Sequence, residues 1–123
     1  MTEKILAHIN EKLTNAGINY EFREWTGKII YPYFVGEYAE SAPFSEDGQH
    51  EATFTLDGFT RGSWLELEKA KRKIEEAFTY NTSILADKSG IDVSYSGSLI
   101  VPTGDAELKR IQINLSIKEW RVL

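Results

Sequence analysis

Hydrophobic positions recur along the chain with two periods, one typical of helices and one typical of strands. Apolar residues at helical spacing follow Thr2 and predict a first helix from about Glu3 to Ala16. Thr2 is a residue type suited to cap the start of that helix. A second stripe predicts a helix that starts at Ser63 and runs to about Phe78. Ser63 and Glu66 have the spacing of a capping box, in which each side chain bonds the backbone N–H of the other residue.

The period of two that marks half-buried strands occurs in five segments. These are Ile18 to Phe22, Tyr33 to Glu40, Gln49 to Thr60, Val93 to Val101 and Leu108 to Trp120. Gly97 predicts a bulge or bend in the fourth of them, and the stretch from 81 to 90 has no regular pattern. The order of elements is therefore predicted to be α-β-β-β-α-β-β.

This order predicts one α+β domain over residues 1–123, with two amphipathic helices covering one face of a sheet that is mainly antiparallel, either throughout or with a parallel pair that makes it mixed. The other face is predicted to be polar and mostly uncharged. Its residues are Thr53, Thr55, Asp57, Gln112, Asn114 and Ser116. Such a face suits either water or a wet contact between subunits, and both alternatives stay open.

Composition narrows the possible functions. The 123 residues include no cysteine, which excludes thiol catalysis, disulfides and thiolate zinc sites. A formal net charge of -5 argues against broad binding to nucleic acid, because that binding depends on Lys and Arg neutralising phosphates. No apolar run predicts a membrane span and no secretory signal is visible, so the expected compartment is the cytoplasm.

One acidic cluster has the residue types of a metal or acid/base site. Glu46, Asp47, His50 and Glu51 fall within six positions, but hard cations need a rigid arrangement of further oxygen ligands. A solvated acidic loop, turned by Asp47 and Gly48, is the favoured interpretation. The sequence also contains no G-x-S-x-G, P-loop or dinucleotide motif, and His8 has no suitable partner for catalysis. We therefore expect no enzyme and no cofactor.

Several segments together resemble the tail-terminator, or tail-completion, proteins of long-tailed bacteriophages and related prophage tail particles. A Pro-aromatic strand, YPYFVGEY, is followed by a loop and the strand DGQHEATFTLDGF, and then by the amphipathic helix SWLELEKAKRKIEEAF. The ending ELKRIQINLSIKEW is similar to the last long strand of that family. The resemblance covers nearly the whole chain in the order of its elements, and none of it is a catalytic motif.

The resemblance implies a small α+β subunit that forms a hexameric ring on the head-proximal end of the tail tube. Such a ring ends tube polymerisation and forms the head-tail joint. Its partners would be copies of itself, the tail tube protein, and a neck or head-completion protein. Genomic DNA would pass through the ring without sequence-specific binding, and no membrane would be involved. The expected location is the virion tail, after assembly in the host cytoplasm.

The residues expected at an interface are centred on the acidic loop and the start of the second helix. They are Glu40, Ser41, Phe44, Glu46, Asp47, His50, Arg61 and Trp64. Two alternatives remain open at this stage. One is a neck or head-completion adaptor of the same joint, and the other is a small metal- or ligand-binding enzyme that uses the cluster at 46–51.

Overall fold

A computed structural model describes residues 3–40, 49–79, 82–84 and 90–120, with the backbone alone at 49, 50 and 82–84. The elements are α1 Glu3–Asn15, β1 Tyr20–Phe22, β2 Tyr33–Glu40, β3 Gln49–Thr60, α2 Trp64–Ala77, β4 Thr82–Ile84, β5 Gly90–Val101 and β6 Lys109–Trp120. The strands form one six-stranded sheet in the order β1-β2-β3-β6-β5-β4. Strand β1 is parallel to β2, and the other pairs are antiparallel. The predicted α+β fold with a mixed, mainly antiparallel sheet is confirmed.

Both helices pack on the same face of the sheet, and the core lies between them and the central strands. Every second residue of β3 and β6 faces this core, because side chains alternate across a strand. The buried residues of the helices are Ile5, Ile9, Leu13, Leu67, Ala70 and Ile74. Those of the sheet include Phe34, Phe54, Leu56, Ile91, Val93, Ile111, Ile113, Leu115 and Ile117. Burying each large apolar side chain contributes about 1.5–3 kcal/mol to folding.

The ends of α1 and the break in β5 follow the sequence prediction. Gly17 adopts a φ of 77°, and the Ile18 N–H donates to the Leu13 carbonyl at 3.0 Å, which closes the helix. In β5 the pairing register with β6 shifts between Tyr95 and Gly97. Ser96 is therefore the extra residue of a β-bulge, as Gly97 predicted.

Two sequence predictions were wrong in detail. The irregular stretch before β5 contains a short strand, β4, which pairs with Gly90–Asp92 and adds a sixth strand to the sheet. The predicted capping box is absent, since Ser63 is the N-cap residue but its side chain makes no capping hydrogen bond. The Glu66 carboxylate instead accepts a hydrogen bond of 2.8 Å from the hydroxyl of Thr60, which is fully buried. A buried hydroxyl without a hydrogen-bond partner is costly, and Glu66 therefore bonds Thr60 and not the start of the helix.

Within the described ranges, neither helix is both long enough and apolar enough to cross a membrane.

Candidate interaction surface

One end of the sheet gathers most of the exposed apolar side chains. We call it the hairpin end, because it contains the connection between β5 and β6. The register places Tyr33, Phe59, Arg110 and Val101 side by side across β2, β3, β6 and β5 at this end. The segment that leads into β2, the start of α2 and the end of β5 therefore all meet here.

Nine large hydrophobic side chains are exposed among the described residues, and seven of them lie at the hairpin end. They are Ile29, Ile30, Tyr31, Trp64, Leu65, Leu99 and Ile100. Ile30 and Ile100 expose 58% and 59% of their surface. Tyr38 and Trp120, the other two, lie towards the opposite end. Clustered apolar exposure of this kind marks an interaction surface more strongly than scattered residues do.

A shallow groove of about 360 Å³ lies within this surface. Trp64 forms one side of it, and the end of β5 with the connection to β6 forms the other. Its lining includes Ile100, Pro102 and Leu108, together with the charged residues Asp105 and Lys109. The groove can therefore receive an apolar side chain of a partner while leaving the two charges at its margin.

Arg61 lies at the centre of a small polar network at the hairpin end. Arg61 and Asp105 form an exposed ion pair at 3.2 Å. The Glu107 backbone N–H, and after it Arg61, lower the pKa of Asp105 below its ordinary value. The Tyr31 hydroxyl and Asp105 lie beside the guanidinium and raise the pKa of Arg61. Three separate segments are thus connected by polar contacts around the apolar side chains.

The sheet face away from the helices carries an aromatic row at the same end. The Trp25 ring lies 5.0 Å from that of Tyr33, which in turn stacks on Phe59 at 5.2 Å. Burial is the main cause that raises the pKa of Tyr33. Arg110 lies over the Phe59 ring at 5.5 Å and pairs with Asp57 at 2.9 Å. Among the described residues of this row, the charges of Arg110 and Asp57 are therefore already paired with each other.

Beyond the aromatic row, this face has the polar character that the sequence predicted. Thr53 pairs with Ser116 across the strands, Thr55 with Asn114, and Asp57 with Gln112. The Thr55 hydroxyl donates to Asn114 Oδ1 at 3.2 Å. No described helix covers this face, so it can meet water or a polar partner surface.

The residues expected at an interface fall into two groups in the structure. Arg61 and Trp64 lie at the hairpin end, beside the groove. Glu40 is exposed at the other end of β2, where it pairs with Ala52. Ala52 and Thr60 are eight positions apart along β3, a distance of about 26 Å. Ser41, Phe44, Glu46 and Asp47 lie outside the described residues, and so does the side chain of His50.

The described part of the chain contains no group of three His, Asp or Glu residues that could hold a metal ion. Most of the cluster at 46–51 lies outside that part. His8, on α1, is half-buried, and its Nε2 has no hydrogen-bond partner in the described structure. Burial, and secondarily Lys12, lowers the pKa of His8 below its ordinary value. Among the described residues, desolvation and not a hydrogen-bonded partner at Nε2 therefore dominates the surroundings of His8.

The apolar side chains of the hairpin end were missed by the sequence analysis, although the sequence carries a signal for them. Ile29 with Ile30 and Leu99 with Ile100 are adjacent apolar pairs. Because successive side chains of an extended segment point in opposite directions, one member of each pair cannot face the same core. Adjacent apolar residues near the end of a strand thus indicate either a second buried face or a contact surface.

Comparisons with known proteins identify the fold. No protein-family profile matches the chain, and no curated protein matches it. A chain in a solved structure described as "Virion of native gene transfer agent (GTA) particle" is similar, with a TM-score of 0.66 and 10% identity over 92% of both chains. A second solved structure, whose name states no function, has a TM-score of 0.73 and 12% identity over 98% of this chain and 96% of that one. At these identities the likeness shows a shared fold along nearly the entire chain.

Proposed function

We propose that this chain is a structural protein of a phage-like particle and acts as the terminator of its tail tube. The chain would form a ring on the head-proximal end of the tube, stop further polymerisation, and provide the joint to the head. The observation that carries the proposal is the likeness of fold, over 92% of both chains, to a chain of a gene transfer agent virion. The resemblance of YPYFVGEY and the segments after it to tail-terminator proteins supports the same role.

The described surface is compatible with a role based on contacts instead of catalysis. Its exposed apolar residues cluster at one end, and Arg61 beside them pairs with Asp105. A ring component needs surfaces of this kind to fit its neighbours, whereas an enzyme needs a pocket that brings reactive groups together. The proposed partners are therefore other copies of the chain, the tube protein and a neck or head-completion protein.

Tail assembly in the presence and absence of the chain tests the proposal. All other proteins of the particle, those of the tube and the head included, are produced with or without this chain, and the tubes and attached heads are examined by negative-stain electron microscopy. We expect tubes of uniform length with the chain present, and tubes of uncontrolled length that carry no heads without it. Tubes of equal length distribution in both samples would contradict the terminator role.

The same experiment separates the alternative of a neck or head-completion adaptor. An adaptor acts after the tube is finished, so its loss leaves tube length unchanged and prevents only the attachment of heads. Normal tube length and normal head attachment without the chain would exclude both roles.

A further inference from the structure

A groove lies between α1 and α2, and two adjoining cavities form it. The first, of about 220 Å³, lies between the turn after α1, the start of β2 and the side of α2. The second, of about 490 Å³, lies between the last turn of α1 and the last part of α2. Lys73 lines both cavities, so they form one continuous surface, which we call the helix groove.

The floor of the helix groove is apolar, and its wall is fixed to the sheet. The apolar side chains that line the two cavities are Ile18, Phe34, Ala70, Ala16 and Ala77. The Phe34 N–H donates to the Asn19 carbonyl at 2.8 Å, which ties the turn after α1 to the start of β2. An apolar side chain of a ligand can therefore be buried in a groove that is already formed.

Three lysines, Lys12, Lys69 and Lys73, line the helix groove. None of them forms an ion pair with a carboxylate of the described residues. Lys12 lies in the last turn of α1, where it offsets the partial negative charge of the helix end. Lys69 and Lys73 lie before the last turn of α2 and four positions apart, a spacing at which like charges weaken a helix. Helix stability therefore does not explain the two lysines of α2.

Two carboxylates also line the helix groove, and one of them is already engaged. Glu66 Oε2 accepts the hydrogen bond of the Thr60 hydroxyl at 2.8 Å. Glu76 lines the second cavity only. The chain as a whole has a formal net charge of -5, so a groove in which lysines outnumber carboxylates differs from the average surface. It combines positive charge with an apolar floor.

We propose that the helix groove binds an acidic peptide segment of a partner protein, with an apolar side chain in the first cavity and carboxylates beside Lys69 and Lys73. Charge complementarity fixes the sign of the occupant. The apolar floor favours a peptide over nucleic acid, because phosphate oxygens lose hydration against apolar surface without compensation. The proposal goes beyond the terminator role and does not depend on it.

Selection of short random peptides from a displayed library, on the purified chain, tests the proposal. We expect the enriched peptides to combine Asp or Glu with a neighbouring apolar residue. The most enriched peptide is then synthesised with a fluorophore, and its Kd is measured by fluorescence anisotropy. Replacing its apolar residue by Ser should raise the Kd. Added salt should also raise the Kd, because salt screens exposed charges.

Variants of α2 locate the binding site. Lys73→Glu reverses the charge of the residue that lines both cavities and should raise the Kd at least about tenfold. Arg72→Glu is the matched control, because it makes the same change at the adjacent exposed residue, which lines neither cavity. It should change the Kd by less than about threefold. Lys69→Gln is a milder second variant that should also weaken binding, and circular dichroism verifies that each variant is folded.

Three results would overturn the proposal: no enrichment of peptides, enrichment of peptides without acidic residues, or equal weakening by Lys73→Glu and Arg72→Glu. A single-stranded oligonucleotide serves as the second probe. If it binds more tightly than the selected peptides and Lys73→Glu abolishes its binding, the groove takes phosphate and the peptide proposal is wrong. All of these measurements use the isolated chain, so they leave the terminator role to be decided by tube length alone.

Discussion

At the scale of single residues, Glu66 connects the end of β3 to the start of α2. Its carboxylate accepts the hydrogen bond of the buried Thr60 hydroxyl, which also accepts the Gly62 N–H at 3.0 Å. Glu66→Ala removes this acceptor, and we expect the free energy of unfolding to fall by about 1–3 kcal/mol. Urea denaturation measures the change. Glu68→Ala is the matched control, because Glu68 is exposed and its surface pair with Lys71 is worth about 0.5 kcal/mol or less. Equal losses in the two variants would contradict this role of Glu66.

His8 gives a second prediction at this scale, on the dependence of stability on pH. Burial lowers its pKa in the folded chain, and Lys12 adds to this while Glu11 opposes it. As the pH falls through about 6.5, the unfolded chain binds a proton at His8 before the folded chain does. Stability should therefore decline as the pH falls below about 7. His8→Gln removes the titrating group, so its unfolding free energy should decline less over this range. Parallel curves for the two proteins would show that His8 makes no such contribution.

At the scale of elements, the long strands and the short β1 could be predicted, whereas the short β4 could not. β2 and β3 have the predicted boundaries because alternation over eight or more residues leaves one register that buries the apolar face. Thr82–Ile84 is too short to show a period of two. It is a strand because it pairs with β5, and no local pattern of residues reveals that pairing. The hydrogen bond between Thr60 and the Glu66 carboxylate was likewise not predictable, because the local sequence does not reveal that Thr60 is buried.

The connection between β2 and β3 is the element whose role can be tested separately from the fold. The ladder from Tyr33–Phe59 to Glu40–Ala52 holds the two strands together without residues 41–48. Replacing 41–48 by a four-residue Gly-containing turn should change the melting temperature by less than about 4 °C and should damage assembly onto tubes. A Gly/Ser replacement of equal length is the control that separates length from chemistry. Loss of folding in the shortened variant would show that the segment is structural.

At the scale of the whole molecule, the fold class and the polar sheet face could be predicted, whereas the apolar end could not. The exposed Ile and Leu residues of the hairpin end lie where strands β2, β5 and β6 begin or end. The relative positions of these strand ends are set by the pairing register of the sheet, which the sequence does not show. In the sequence, the adjacent pairs Ile29–Ile30 and Leu99–Ile100 show that one member of each pair lies away from the core, but they do not show that both members are exposed. In the described part of the chain, two helices pack against a six-stranded sheet, and they leave one sheet face and one end of the sheet uncovered.

The bulge at Ser96 decides which side chain of β5 a neighbour would meet. If β5 continued in register past Tyr95, Leu99 would lie opposite Ile111 and Ile100 opposite Arg110, so the two side chains would exchange faces. Ile91 and Val93, which precede the bulge, would keep all their partners. A single inserted or deleted residue in this outer strand can therefore redirect recognition while the interior stays constant. Related chains could acquire new partners through changes in length at this position, without any substitution in the core.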